Sequence, residues 1–79
     1  MRLDKYLKVS RLVKRRTVAN ELCDAEHVTV NGKVQRASYQ VKEGDVLEIT
    51  MGNRVIRAKV LSVQDYATKE TAGDLYELL

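Results

Sequence analysis

Apolar positions recur at helical spacing early in the chain and alternate with polar ones further on. Leu3, Tyr6 and Leu7 lie three and four apart, which predicts a short first helix over residues 2–9. Ser10 follows, a residue suited to interrupting or re-capping a helix. A second helix is predicted from Lys14 to Ala25, with Val18, Ala19, Leu22 and Cys23 on one apolar stripe and Glu21 and Asp24 off it. The period then changes to two. Val28 and Val30 flank Thr29, and Asn31-Gly32 follows at once, a dipeptide suited to the positive φ angles of a tight hairpin. A short return strand runs through Val34, and Glu43-Gly44-Asp45 reads as a turn. Leu47, Ile49 and Met51 alternate on the next strand, and Gly52-Asn53 turns the chain again. Across residues 54–63, Ile56, Ala58 and Val60 lie opposite Arg57 and Lys59. Leu75, Leu78 and Leu79 suggest a short helix or a packed tail at the end. The pattern predicts an α+β fold in which two N-terminal helices pack on a small, mostly antiparallel sheet. Residues 1–63 would form the domain, with 64–79 a C-terminal extension packed on or following it.

Composition narrows the chemistry. A chain of 79 residues has room for one domain and little for a deep catalytic cleft with its supporting shell. It contains no Trp, Phe or Pro, one His and one Cys. A lone Cys23 makes no internal disulfide, fits a reducing cytoplasm, and with His27 supplies too few ligands for a zinc site. No apolar run approaches the roughly 18 residues of a membrane span, so no membrane association is expected. Cys23 reads as a core residue, His27 as a surface residue, and Arg57 and Lys59 as solvated strand charges. Glu43 and Asp45 flank a turn rather than form a catalytic pair, and Tyr6 reads as packed between helix and sheet. Neither enzyme activity nor a cofactor is expected.

Charge supplies the functional signal. Residues 1–16 hold seven basic groups (Arg2, Lys5, Lys8, Arg11, Lys14, Arg15 and Arg16) against Asp4 alone, while the rest of the chain is net acidic. Such a field attracts a polyanion. On a helix Arg2, Lys5 and Lys8 would share one side, and Arg11, Lys14 and Arg15 repeat the spacing. Arg15 and Arg16 would sit in the opening turn of the second helix, where cations are locally unfavourable but phosphate is welcome. Asp4 is suited either to orienting its basic neighbours or to capping the first helix. The Asn31-Gly32-Lys33 hairpin would add a cation beside the same surface. RNA read by shape is favoured over DNA, because no long recognition helix or dimer pattern appears.

Four stretches in order carry a family resemblance: Arg2-Leu3-Asp4-Lys5-Tyr6-Leu7, Lys14-Arg15-Arg16-Thr17, Val28-Thr29-Val30-Asn31-Gly32-Lys33 and Val41-Lys42-Glu43-Gly44-Asp45. They resemble the S-four RNA-binding domain, or alpha-L motif, over about residues 1–50. The resemblance implies two packed helices and a small sheet, with RNA bound along the helices and the hairpin. The stretch from Lys8 to Thr17 resembles the small stand-alone branch of that family, which includes a fifteen-kilodalton ribosome-associated heat-shock protein and ribosome quality-control factors. That branch implies binding to stalled large ribosomal subunits that still carry peptidyl-tRNA. It also implies a partner, an alanine-tailing quality-control factor, working while the tRNA is held in the peptidyl site. On this resemblance Arg2, Asp4, Lys5 and Arg16 would lie at the contact with large-subunit ribosomal RNA and tRNA, and the protein is expected to act as a monomer. One departure stands out. The family often has Gly before the first strand where this chain has Glu26, which a positive φ would strain by about 1 kcal/mol.

Other classes compete with this reading: a ribosome-assembly or general structured-RNA-binding factor, an accessory domain detached from an RNA-modifying enzyme, and a protein-docking module that uses the acidic C-terminal segment.

Overall fold

The computed structural model describes all 79 residues. Helix α1 spans Leu3–Val9 and helix α2 spans Arg16–Asp24. Five strands follow: β1 (Val28–Val30), β2 (Lys33–Val34), β3 (Val46–Met51), β4 (Arg54–Val60) and β5 (Tyr76–Leu78), with a 3-10 turn at Ala72–Asp74 before the last. The sheet order is β2-β1-β3-β4-β5, and every pairing is antiparallel. Alternation places Val28, Val30, Leu47, Ile49, Ala58 and Val60 on the face the helices cover. There Val28, Val30, Leu47, Ile49 and Val60 join Leu3, Tyr6 and Leu7 from α1 and Ala19 and Cys23 from α2 in one core. The opposite face sets Thr29, Glu48, Thr50, Arg57 and Lys59 beside the exposed Val34 and Val55, and carries the cross-strand Glu48–Arg57 ion pair at 3.5 Å.

The turns follow local chemistry. Asn31 and Gly32 have φ of 52° and 83° between the paired Val30 and Lys33, the two positive angles that a two-residue hairpin of matching twist requires. Both helices end on a left-handed residue that is not glycine. After α2, the Glu26 N–H donates to the Cys23 carbonyl at 3.0 Å and the His27 N–H to the Leu22 carbonyl at 2.9 Å, while Glu26 takes φ 63°. This is a Schellman ending with Glu where Gly is easiest, so the strain expected at Glu26 is present. Arg11, at φ 63°, ends α1 in a similar way.

Three details differ from the sequence pattern. Helix α2 starts at Arg16 rather than Lys14, because Val13 is buried and Arg15 is extended at φ −127°, ψ 138°. Val18 is 38% exposed: the buried contacts of α2 are Ala19 and Cys23, one turn apart, and Val18 lies off that line. Strand β4 ends at Val60, after which the chain crosses beside α1 and returns as β5. Leu75 is buried in the core there and its carbonyl accepts the Tyr6 hydroxyl at 2.6 Å, whereas Leu78 and Leu79 remain exposed. No helix is long and apolar enough to cross a membrane.

Candidate nucleic-acid interface

The first residues are held from both sides. The Met1 carbonyl accepts from the Val41 N–H at 2.8 Å, its ammonium donates to Gln40 Oε1 at 3.0 Å, and Arg2 bridges to Gln40 in extended conformation. Every free N–H in the first turn of α1 is then used. Leu3 donates to the Tyr39 carbonyl at 2.8 Å, Asp4 to the Ala37 carbonyl at 3.2 Å, and Lys5 to Asp4 Oδ1 at 2.8 Å. That end of α1 is closed to an anion.

Asp4 is the centre of the site. It is only 2% exposed. Besides the Lys5 N–H, it accepts Arg2 Nε at 3.1 Å, Arg2 Nη2 at 3.3 Å, Arg16 Nε at 3.4 Å and Asn20 Nδ2 at 3.4 Å. Burial pushes the carboxyl pKa up, but donation from Arg2, Asn20, the Lys5 N–H and Arg16 together outweighs it and holds Asp4 below its ordinary value of 3.8. The two roles open in the sequence are both filled: Asp4 satisfies a first-turn N–H and orients two guanidinium groups. The guanidinium side chains themselves are 46% (Arg2) and 49% (Arg16) exposed. A guanidinium has five N–H donors, so most of those on Arg16 and several on Arg2 remain available to a phosphate.

The opening turn of α2 differs from that of α1. The N–H groups of Arg16, Thr17 and Val18 meet no acceptor elsewhere in the chain, and no side chain caps them. Arg15, Arg16 and the exposed Thr17 surround them, and Asp4, Arg16, Thr17 and Asn20 line a shared cleft with Glu21. Free donors, a helix-dipole end and two guanidinium groups converge there, an arrangement suited to phosphate.

The remaining cations are spread more widely than helical spacing suggests. Arg2 precedes α1, so its side chain turns to Asp4 instead of lining up with Lys5 and Lys8. Lys5 lies 3.4 Å from Asp65. Lys8, Arg11, Lys14 and Arg15 are exposed and form no ion pair. Lys33 is exposed on edge strand β2, with no contact joining it to the Asp4 cluster. Asn31 holds the hairpin to the neighbouring loop, since its Nδ2 donates to Asp45 Oδ1 at 3.0 Å and its Oδ1 accepts the Val46 N–H at 2.9 Å.

Sequence reasoning missed several supporting residues. Asn20 steadies Asp4 from sixteen positions away. Asp45 accepts Asn31, the Tyr39 hydroxyl at 3.0 Å and the Lys42 N–H at 2.9 Å, which fixes the 37–41 loop that carries Arg2. Burial, and then Asp45 itself, raise the Tyr39 hydroxyl above 10.0, so it stays a donor. Arg36 shares with Arg2, Asn20, Gln35 and Tyr39 a groove of about 770 Å³ between α2 and this loop. Its only sequence signal was its charge.

The sequence model of the S4 domain matches residues 1–47, which takes in α1, α2, the first hairpin and the whole Asp4 cluster. An RQC P-site tRNA stabilizing factor of Halalkalibacterium halodurans is 50% identical over 99% of this chain and 89% of its own length. The Bacillus subtilis protein of that name is 44% identical over 100% of this chain and 92% of its own. Among solved structures, trimeric Heat Shock Protein 15 of Vibrio cholerae superposes with a TM-score of 0.93 at 25% identity, covering 100% of this chain and 81% of that one. With the matched segment built around the arginine-holding carboxylate and relatives similar along the full chain, this protein belongs to the S4 domain family.

Proposed function

We propose that this protein is an RNA-binding quality-control factor that engages stalled large ribosomal subunits carrying peptidyl-tRNA. In this reading it contacts ribosomal RNA and tRNA, and steadies the tRNA in the P site while an alanine-tailing factor extends the nascent chain. It acts as a monomer in the cytoplasm, where ribosomes work, and contributes binding rather than catalysis. The observation that carries the reading is the pair of half-exposed guanidinium groups, Arg2 and Arg16, fixed on buried Asp4. Relatives named for stabilising P-site tRNA, similar along the whole chain, support a ribosomal setting for the protein.

The mechanism follows from orientation. A free Arg side chain carries about 2 kcal/mol of rotamer entropy that binding would otherwise have to remove. Asp4 restricts two such side chains before RNA arrives. Arg15, Thr17 and the open turn of α2 extend the phosphate-binding strip, and Lys5, Lys8, Arg11 and Lys14 add longer-range attraction. Lys33 widens the basic surface at the hairpin, with Asn31 holding that hairpin in place. None of this reads base sequence, so selectivity comes from the shape of a folded RNA.

Sedimentation with purified large subunits, with and without peptidyl-tRNA and at several salt concentrations, tests the reading. If about four cations meet phosphate, log affinity should fall against log salt with a slope of roughly −3 to −4. Arg16→Ala should weaken binding about tenfold or more and make the slope shallower by about 1. Equal binding to empty subunits would favour a role in assembly instead. No binding at low salt would overturn the ribosomal reading.

A further inference from the structure

Three of the four tyrosines are accounted for by packing or hydrogen bonding. Tyr6 is buried with its hydroxyl on the Leu75 carbonyl, Tyr39 donates to Asp45, and Tyr76 is half-buried in β5. Tyr66 has no such place, and is 76% exposed. It lies in the segment between β4 and the 3-10 turn, beyond the residues that the S4 domain model matches. That segment is tied down around it. Val63 and Ala67 pack against the core, and Asp65 accepts Lys5 Nζ at 3.4 Å. Tyr66 is therefore brought beside α1, where it lines a shallow hollow of about 220 Å³ with Lys8, Val9, Arg11, Asp65 and Ala67. Lys8 and Arg11 are both exposed and form no ion pair.

An exposed aromatic ring sharing a hollow with two unpaired cations matches the chemistry of an unpaired nucleotide. The ring offers a face on which any base can stack, and the cations take the phosphates on either side. A paired helix keeps its bases inside the stack and would use only the cations. An acidic protein surface would also satisfy the cations and leave the ring face idle. Asp65 repels phosphate from one side of the hollow, which directs the backbone along Lys8 and Arg11.

We propose that Tyr66, with Lys8 and Arg11, forms a second RNA-binding subsite that stacks one unpaired base of the bound RNA. It lies apart from the Arg2–Asp4–Arg16 cluster, with which it shares no lining residue. The inference rests on the RNA-binding reading above and assigns that interface a single-stranded contact.

The test compares the parent, Tyr66→Ala, Tyr66→Phe and Arg16→Ala in co-sedimentation with tRNA-bearing large subunits. Tyr66→Ala should weaken binding about tenfold and Tyr66→Phe less than about twofold, because the ring face rather than the hydroxyl is used. Because the chain lacks Trp, Tyr66→Trp introduces a single Trp reporter. Its emission should be quenched by a short oligoadenylate more strongly than by an RNA hairpin stem of equal charge. If Arg16→Ala loses binding while Tyr66→Ala binds like the parent, the stacking subsite is refuted and the ribosomal reading stands. Equal quenching by stem and oligoadenylate would likewise refute it. If the parent itself fails to bind, both fall together.

Discussion

Asp4→Asn separates orientation from simple charge, because the two predict opposite signs. The substitution removes a negative charge from a basic surface. With a phosphate about 6 Å away in high dielectric, lost repulsion is worth about 0.7 kcal/mol, or roughly threefold tighter RNA binding. Orientation argues the other way. Asn keeps one acceptor for the Lys5 N–H and Arg2 Nε, but turns an NH₂ group toward Arg2 Nη2, Arg16 Nε and Asn20 Nδ2, all of them donors. Arg16 is then released and Arg2 is left with one bond of two, and the rotamer entropy they regain, about 2 kcal/mol each at most, has to be removed on binding. The net expectation is about tenfold weaker binding to tRNA-bearing large subunits, alongside equal or tighter binding to nonspecific RNA. Removing one partner of a fully buried pair costs roughly 3–5 kcal/mol. Here the partners are half-exposed and two contacts are as long as 3.4 Å, so the stability loss should be nearer about 2 kcal/mol. In a domain this small that lowers Tm by about 10 °C. The assay is co-sedimentation at fixed salt and about 20 °C, well below the usual melting range of such domains, with circular dichroism confirming that both proteins are folded. A folded Asp4→Asn protein that binds tRNA-bearing subunits as well as or better than the parent would refute the orienting role.

The same carboxylate sets an acid dependence. Its folded pKa lies below the unfolded value of 3.8, so its contribution is present in full above that value and is lost as pH falls through the folded pKa. Parent stability should therefore decline as pH is lowered below about 4, and Asp4→Asn should flatten that part of the profile. Two further substitutions test the frame around the site. Glu26→Gly should stabilise by about 1 kcal/mol, because it relieves a left-handed φ of 63° and removes an anion from the C-terminal end of α2; chemical denaturation with unchanged or reduced stability would contradict this. Tyr6→Phe should cost about 1 kcal/mol, since the Leu75 carbonyl keeps its bonds from the Leu61 and Ser62 N–H groups. Amide exchange should then quicken first in β5, and a change spread evenly over the sheet would show that Tyr6 does not anchor that strand.

What the sequence made legible was local. The periodicity of Leu3, Tyr6 and Leu7 and the Asn31-Gly32 turn fold through contacts a few residues away, and both stand where the pattern put them. The C-terminal segment was less legible because its partners are distant: β5 pairs with β4 across a crossing that packs beside α1, and Leu75 meets Tyr6 from 69 positions away. The candidate site divides in the same way. Composition pointed to the basic segment, but the direction of each guanidinium depends on Asn20, on the 37–41 loop that holds Arg2 extended, and on Asp45, which fixes that loop. Counting charges ranks Asp4 as a flaw in a cationic stretch. Its burial and five donors make it the residue on which the placement of Arg2 and Arg16 depends. On the proposed RNA-binding reading, the single negative charge among residues 1–16 turns a diffuse attraction for polyanions into a grip of defined shape.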